Sequence, residues 1–367
     1  MKIKDFLCEQ WMTAYEKQAV YNMTDTSFQA LSFPALLALE PAALDDVVLD
    51  YGDITGDEAL KREILKLYRT GSVEQITCMP GALCANQHVM DALLEAGDHV
   101  IAFVPGYQQF YEYPRSLGCE VTTVAYVEED GWRFPVEKVQ EAIRPNTKMI
   151  VLASPSNPTG TRLDAADWLA LVALCRPRGI YILCDEVYRG LDLERTPSVS
   201  DCYERGIATS SLSKIFALPG LRLGWVKANR EVIERLNVRR DYTFISTGPL
   251  TDRLALAALR HKETILEANR RRLAKNQETL KAWLADNESF SVVLDPLSPV
   301  AFLRYEAGSP STAIWQRALR ERGVFFVPGS CFEVDQHLRL GMGRDPEAFE
   351  SGLTEFSIWF NETLKKI

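Results

Sequence analysis

Short apolar runs and stretches of helical period alternate between about Gly81 and Asn229. "HVIAFVP" (99–105), "EVTTVAYV" (120–127), "KMIVLASP" (148–155), "GIYILCDEV" (179–187), "GIATSSLS" (206–213) and "LRLGWVKA" (221–228) each read as a short strand bounded by turn residues. Between them, 135–143 and 164–176 read as helices. Strands alternating with helices predict βαβ units and a mostly parallel sheet, and the near-continuous apolar runs predict cover on both its faces. After Arg230 the pattern changes. A helix is predicted over 230–240 and a long one over 251–285. Strands near 290–304 and 323–327, a helix near 311–321, a strand near 337–342 and a final helix over 346–365 follow. This later part reads as a second, smaller α+β domain, 244–367, joined by an N-terminal arm, 1–40, with a large α/β domain at 41–243.

The chain has 367 residues, enough for two or three domains, and 47% of them are hydrophobic, ample for a large core. A formal net charge of −9 argues against nonspecific nucleic-acid binding, which needs a basic face. The run Arg270, Arg271, Arg272 sits in a helical pattern and reads as a solvated face. Eight cysteines are scattered without a C-x-x-C pair, so a reducing cytoplasm fits better than a disulfide framework. The histidines at 88, 99, 261 and 337 have no metal-ligand spacing, and no metal is expected. "MKIKDFLCEQW" lacks the apolar core of a signal peptide, and no apolar run approaches the ~20 residues that span a bilayer, so no membrane association is expected.

The candidate chemistry lies at strand ends. In "MPGALCA" (79–85) a glycine, Gly81, precedes a helix that opens with Ala82 and Leu83; backbone N–H groups exposed there suit a phosphate, although such turns are common. Tyr107 follows a strand and either stacks on a flat ligand or belongs to the core. Asn157, in "SPSNPTG", is a turn residue or a donor to a ligand oxygen. Asp185 ends a strand that should be buried, so its carboxylate calls for a compensating cation, either a structural ion pair or a ligand; Tyr188 is three residues on. Ser211, Ser213, Lys214 and Arg222 supply hydroxyls, an amine and a planar fork suited to phosphate. Lys214 by itself is a surface charge, but Ile215, Phe216, Leu218, Leu221 and Leu223 around it are apolar. Open α/β sheets bind ligands at the carboxyl ends of their strands. One ligand uses all these groups: an aromatic aldehyde with a phosphate, a ring oxygen and a ring nitrogen, which is pyridoxal 5′-phosphate.

With "NPTG", "DEVY", "SLSK" and "GLRLGW" in this order and spacing, the chain resembles the fold-type I pyridoxal-phosphate (PLP) enzymes of the class I/II aminotransferase group, from about Tyr51 to Arg339. The resemblance implies a large domain with a mostly parallel, seven-stranded-type sheet. It implies that Lys214 forms the internal aldimine, that Asp185 pairs with the pyridine nitrogen, and that Asn157 and Tyr188 contact the ring oxygen. Tyr107 would stack on the ring, while the Gly81–Ala82–Leu83 turn, Ser211, Ser213 and Arg222 would hold the phosphate. Tyr51, in "LDYGDITGDEALK" (49–61), matches a tyrosine that reaches a phosphate across a homodimer interface. Arg339, in "HLRLGMG" (337–343), matches the arginine that grips the substrate α-carboxylate, with Asn157 beside it.

The activity so implied is transamination between an L-amino acid and a 2-oxo acid. A β-eliminating lyase of the C–S lyase type shares the proton abstraction at Cα and remains open. So does a cyclase acting on a modified arginine, because "WMTAYEKQAVYN" (11–22), "RDYTFISTGPL" (240–250) and "VPGSCF" (327–332) are similar to the capreomycidine synthase group. Some regulators place an aminotransferase-like domain behind a DNA-binding head, but no helix-turn-helix segment or basic patch is present here. In dicarboxylate-specific members a further arginine from the partner subunit binds the side-chain carboxylate. Arg239 and Arg240 lie near that segment and read more simply as helix-end surface charges. Trp11, Tyr15, Tyr21 and Phe28 either line a pocket or dock the arm, and "TDTSFQALSF" (24–33) lacks the glycine that relatives usually carry there.

Overall fold

The computed structural model describes residues 2–363. The closing helix is Pro346–Thr363; positions 364 and 365, also expected to be helical, lie outside the described residues. In chain order the strands are β1 (Tyr21–Asn22), β2 (Ile76–Met79), β3 (His99–Val104), β4 (Glu120–Ala125), β5 (Thr147–Ala153), β6 (Tyr181–Asp185), β7 (Gly206–Ser211) and β8 (Gly224–Lys227). They continue with β9 (Phe290–Ser291), β10 (Val300–Tyr305), β11 (Val324–Phe325), β12 (Val327–Pro328) and β13 (His337–Gly341).

The fold is α/β. Seven strands form one sheet in the order β2-β8-β7-β6-β5-β3-β4, in which β8 alone runs antiparallel to its neighbours. The six expected strands are all there. The seventh, β2, was not anticipated, because "ITCM" is too short and mixed to stand out by period. Every residue of β2, β6, β7 and β8 is buried, as strands covered on both faces must be. Helix starts follow local chemistry: Asp164 accepts from the Ala166 and Asp167 amides to open Ala165–Cys175, and Asn229 accepts from Val232 to open Arg230–Arg240. A smaller antiparallel sheet has the order β12-β13-β10-β9.

The N-terminal segment is bound along this second sheet. β1 pairs in parallel with β11, and the rings of Trp11 and Tyr15 lie 4.2 and 4.9 Å from that of Trp315. These aromatics dock the arm. Residues 23–28 then run across the end of β13, where the Gly341 amide donates to the Met23 carbonyl at 2.8 Å. A Cβ at Gly341 would fall 1.8 Å from the Asp25 carbonyl oxygen, and one at Gly343 2.3 Å from that of Ser27. The close approach is made by the glycine that ends β13 and the one two residues beyond it.

Two expectations need correction. The long helix over 251–285 is two helices, Pro249–Arg260 and Lys262–Ala285, broken at His261, which leaves helical geometry at φ −106° and ψ 21°. The break lets the first helix pack on Glu58–Leu65 and the second on Pro346–Thr363; no glycine or proline marks it. Arg240 is not a surface charge: it is 0% exposed. Its guanidinium donates to the carbonyls of Ile54 (3.0 Å), Cys78 (2.6 Å) and Ile245 (3.3 Å) and to Thr77 Oγ1, with the Phe244 ring 4.8 Å away. Arg239, next to it, is exposed.

Arg240→Ala should lower the unfolding free energy by about 3 kcal/mol, because several buried acceptors lose their donor at once. Arg239→Ala should change it by less than about 0.5 kcal/mol. Urea denaturation measures both, and equal effects would refute the clamp.

Candidate active site

A cleft of about 670 Å³ opens at the carboxyl ends of β5, β6 and β7 and under the N-terminal helix Leu7–Tyr15. The strand order reverses beside it, between β5 and β3, the place where open α/β sheets bind ligands. Ala82, Leu83, Tyr107, Asn157, Asp185 and Tyr188 line it, as do Ser211, Ser213, Lys214, Arg222 and Arg339. Of the residues expected from sequence, only Gly81 and Tyr51 are not on its wall.

Gly81 sits immediately behind the wall, in a conformation (φ 87°) that favours glycine. A Cβ there would stand 2.6 Å from Arg222 Nη2 and would push that guanidinium aside. Helix Ala82–Leu93 starts from this turn with no side-chain cap, leaving its first N–H groups free at its positive end. Arg222 Nη1 donates to the Pro219 carbonyl at 2.9 Å and to Ser213 Oγ at 3.4 Å. Free amides, two serine hydroxyls and a guanidinium form an anion cradle.

Asp185 ends β6 and is 7% exposed. Its carboxylate accepts from Asn86 Nδ2 at 2.7 Å and from the Val187 amide at 3.1 Å. Among the described residues no Lys or Arg pairs with it within 4.0 Å. Burial pushes its pKa above the usual carboxylate range, although the Asn86 and Val187 bonds and the Lys214 charge pull the other way. Asn86 was missed in the sequence. It is, with His88, one of two polar side chains among the buried residues of this helix, and that anomaly was the available signal.

Lys214 is half-buried rather than enclosed, because its side chain reaches the cleft and donates from Nζ to Thr26 Oγ1 at 2.9 Å. Arg339, in the middle of β13, is 5% exposed. It donates to Asn157 Oδ1 at 3.3 Å and to the Thr24 carbonyl at 3.2 Å, and its buried Nε has no partner. Among the described residues it has no carboxylate within 4.0 Å. Tyr107 packs against Phe6 at 4.8 Å and donates its hydroxyl to Glu9 Oε1 at 2.9 Å. Burial and then the Glu9 charge push the Tyr107 pKa up. Tyr51 is 67% exposed and does not line this cleft. Thr24, Thr26, Glu9 and Met12 also line the cleft, and nothing local in the sequence marks them.

The cleft thus joins an anion cradle to a buried carboxylate that lacks a cation, at the edge of an α/β sheet. The chain belongs to the aminotransferase class I and II family, whose model matches residues 19–356. It is 38% identical, with a TM-score of 0.95 over 99% of both chains, to a PLP-dependent aminotransferase from Streptococcus suis. It is 30% identical over 326 residues to arginine–pyruvate transaminase AruH of Pseudomonas aeruginosa, covering 83% of this chain and 82% of that one. It is 26% identical over 357 residues to capreomycidine synthase of Streptomyces vinaceus, covering 95% and 92%. The protein is therefore a PLP-dependent enzyme of fold type I. The residues fit that cofactor: a phosphate suits the cradle, and a protonated ring nitrogen supplies the cation that Asp185 lacks.

A second buried acid follows directly. Glu186 accepts from Ser198 Oγ and the Val199 amide, both at 2.9 Å, while its Oε2 has no hydrogen-bond partner and lies 3.6 Å from Arg189. Burial raises its pKa from 4.5 to about 7, against the pull of Arg189. The folded state therefore holds a proton that the unfolded state releases between those values. Stability should fall as pH rises from 4.5 to about 7, and the loss should be complete above that. Urea midpoints measured across this range should show the slope reduced in Glu186→Gln. An identical slope in the variant would rule Glu186 out as its source.

Proposed function

We propose that the enzyme moves an amino group between an L-amino acid and a 2-oxo acid. The observation that carries this reading is Arg339, a buried guanidinium with an unpartnered Nε and no acid beside it, in the same cleft as Lys214. It is matched to a substrate carboxylate, which it can grip bidentately.

The cradle of Gly81, Ala82, Leu83, Ser211, Ser213 and Arg222 would hold the phosphate. Asp185 would hold the ring nitrogen, Asn157 and Tyr188 the ring oxygen, and Tyr107 the ring face. Bound there, pyridoxal 5′-phosphate supplies an electron sink for the pair left when the substrate Cα–H bond breaks. Asp185 stays ionised beside that ring cation and so maintains the sink. Arg339 fixes the α-carboxylate and with it the orientation of the Cα–H bond. Lys214 Nζ, which donates to Thr26 Oγ1, is the group that would take the Cα proton and hold it until it is delivered.

The division into an arm at 1–40, a large domain at 41–243 and a small domain at 244–367 belongs to the same proposal. So does a homodimer in which Tyr51 serves the partner's phosphate. Val48, Leu49, Tyr51, Tyr242 and Leu250 form exposed apolar surface, which a partner would cover. All eight cysteines are free, in keeping with a cytoplasmic location, and among the described residues no helix is long and apolar enough to cross a membrane.

The likeness to capreomycidine synthase over 95% of the chain favours a second reading, elimination and ring closure on a modified arginine. Amino acids added to the holoenzyme, with spectra and products followed, separate the cases. Transamination yields the pyridoxamine form and a 2-oxo acid. Ammonia or pyruvate released without an acceptor identifies a lyase, and a cyclised product identifies the cyclase.

Lys214→Ala should abolish turnover and the covalent link to the cofactor, shifting the bound cofactor's absorbance to that of the free aldehyde. Arg339→Ala should raise the amino-acid KM by roughly 30-fold or more, the effect of removing one partner from a buried charge pair. Asp185→Asn should retain cofactor but lower kcat by about a hundredfold or more, the scale of a lost electrostatic group in an enclosed site. Steady-state kinetics decides each; an unchanged KM in the arginine variant would discard its role.

A further inference from the structure

Lys214, Arg222 and Arg339 are the basic residues lining the cleft, and each has a task in the reading above. Along the wall formed by the N-terminal helix and the turn after it the sign changes. Glu9 and Glu16 line the cleft there, with Met12, Thr13 and Phe6 between and beside them. Glu9 is held in place by the Tyr107 hydroxyl on its Oε1 at 2.9 Å. Among the described residues neither glutamate has a Lys, Arg or His within 4.0 Å. Glu9 is open to solvent at the mouth of the cleft and Glu16 is half-buried, so both carboxylates are within reach of an entering ligand.

The independent observation is Arg339. Its 5% exposure and unpartnered Nε make it a preformed seat for a carboxylate. Glu9 is close enough to act on its charge. A ligand seated on Arg339 and extending along this wall meets an aromatic and a thioether surface, then carboxylates. An aliphatic stem tipped by a cation satisfies both. A side-chain carboxylate would be repelled by Glu9 and Glu16, and Arg240, buried and committed to backbone carbonyls, cannot offset that. Resting on the amino-acid reading of the cleft, we propose that the preferred substrate has a cationic side chain, a guanidinium or an ammonium, and that Glu9 is the residue that selects it.

The test is titration of the holoenzyme, without 2-oxo acid, by cofactor spectrum and by thermal shift. The probes are arginine and its uncharged isostere citrulline, lysine and norleucine, and glutamate. Arginine should saturate at about tenfold lower concentration than citrulline, and lysine likewise against norleucine, as a charge-assisted bond predicts. The larger of the two ratios identifies the cation. Each ratio should narrow at high salt. In Glu9→Gln, whose amide oxygen still accepts from Tyr107, the ratio should approach one. Equal saturation by each charged and uncharged pair, a preference for glutamate, or a ratio that survives Glu9→Gln overturns the proposal. The wild-type comparison stands even if the variant folds poorly. Absence of a 2-oxo acid product with pyruvate as acceptor would sink transamination while leaving the saturation ratios intact, so the two failures are distinguishable.

Discussion

The end of β6 and the middle of β13 each bury a charge that the chain itself does not neutralise. Asp185 is met by an asparagine amide and a backbone N–H, and Arg339 by the Thr24 carbonyl, the Cys8 sulfur and an asparagine. Burying an unpaired ion costs several kcal/mol, and neutral donors or acceptors recover only part of it. The surrounding structure holds both in place: the core strand behind Asp185, the antiparallel sheet behind Arg339. What relieves each is a ligand of opposite charge, and the cleft between them is shaped by that need.

The rest of the wall follows from how the chain reaches the cleft. Three strand ends deliver Asn157, Asp185 and Ser211 by simple succession, since neighbouring parallel strands end at the same edge. The N-terminal segment arrives differently. It is threaded across β13 where Gly341 and Gly343 leave room, and it is anchored by an aromatic cluster on Trp315. In the proposed reading the catalytic groups sit at the edge of the sheet, while the face offered to the substrate side chain comes from the docked arm, so chemistry and selectivity would be carried by different parts of the molecule.

This split also explains what could be read in advance. Buried strands announce themselves as apolar runs, and a charge at the end of one, such as Asp185, is conspicuous. Lys214 and Arg222 were legible because they follow such a run closely. Asn86 was half-legible, as a polar break in a helical stripe. Glu9 and Thr26 were not, because the contacts that place them join residues 98 and 188 positions apart. Arg240 was misread for a related reason: it sits at a helix end, where charges are usually solvated, and only tertiary structure shows the three carbonyls around it. The interruption at His261 is set by what each half packs against, and no local breaker marks it.

Arg240 also braces two regions that meet at the Cys78 amide, which donates to the Thr55 carbonyl at 2.9 Å. One of its donors reaches the Ile54 carbonyl, in the loop that carries Tyr51; another reaches Cys78, in the strand that leads into the Gly81 turn. In the proposed dimer, one guanidinium thus ties the surface offered to the partner to the cradle that holds the phosphate. Linkage then runs both ways: whatever steadies one steadies the other by the same free energy. A dilute solution of this enzyme would shed its vitamin more readily than a concentrated one, and a preparation stripped of vitamin would fall apart into single subunits sooner.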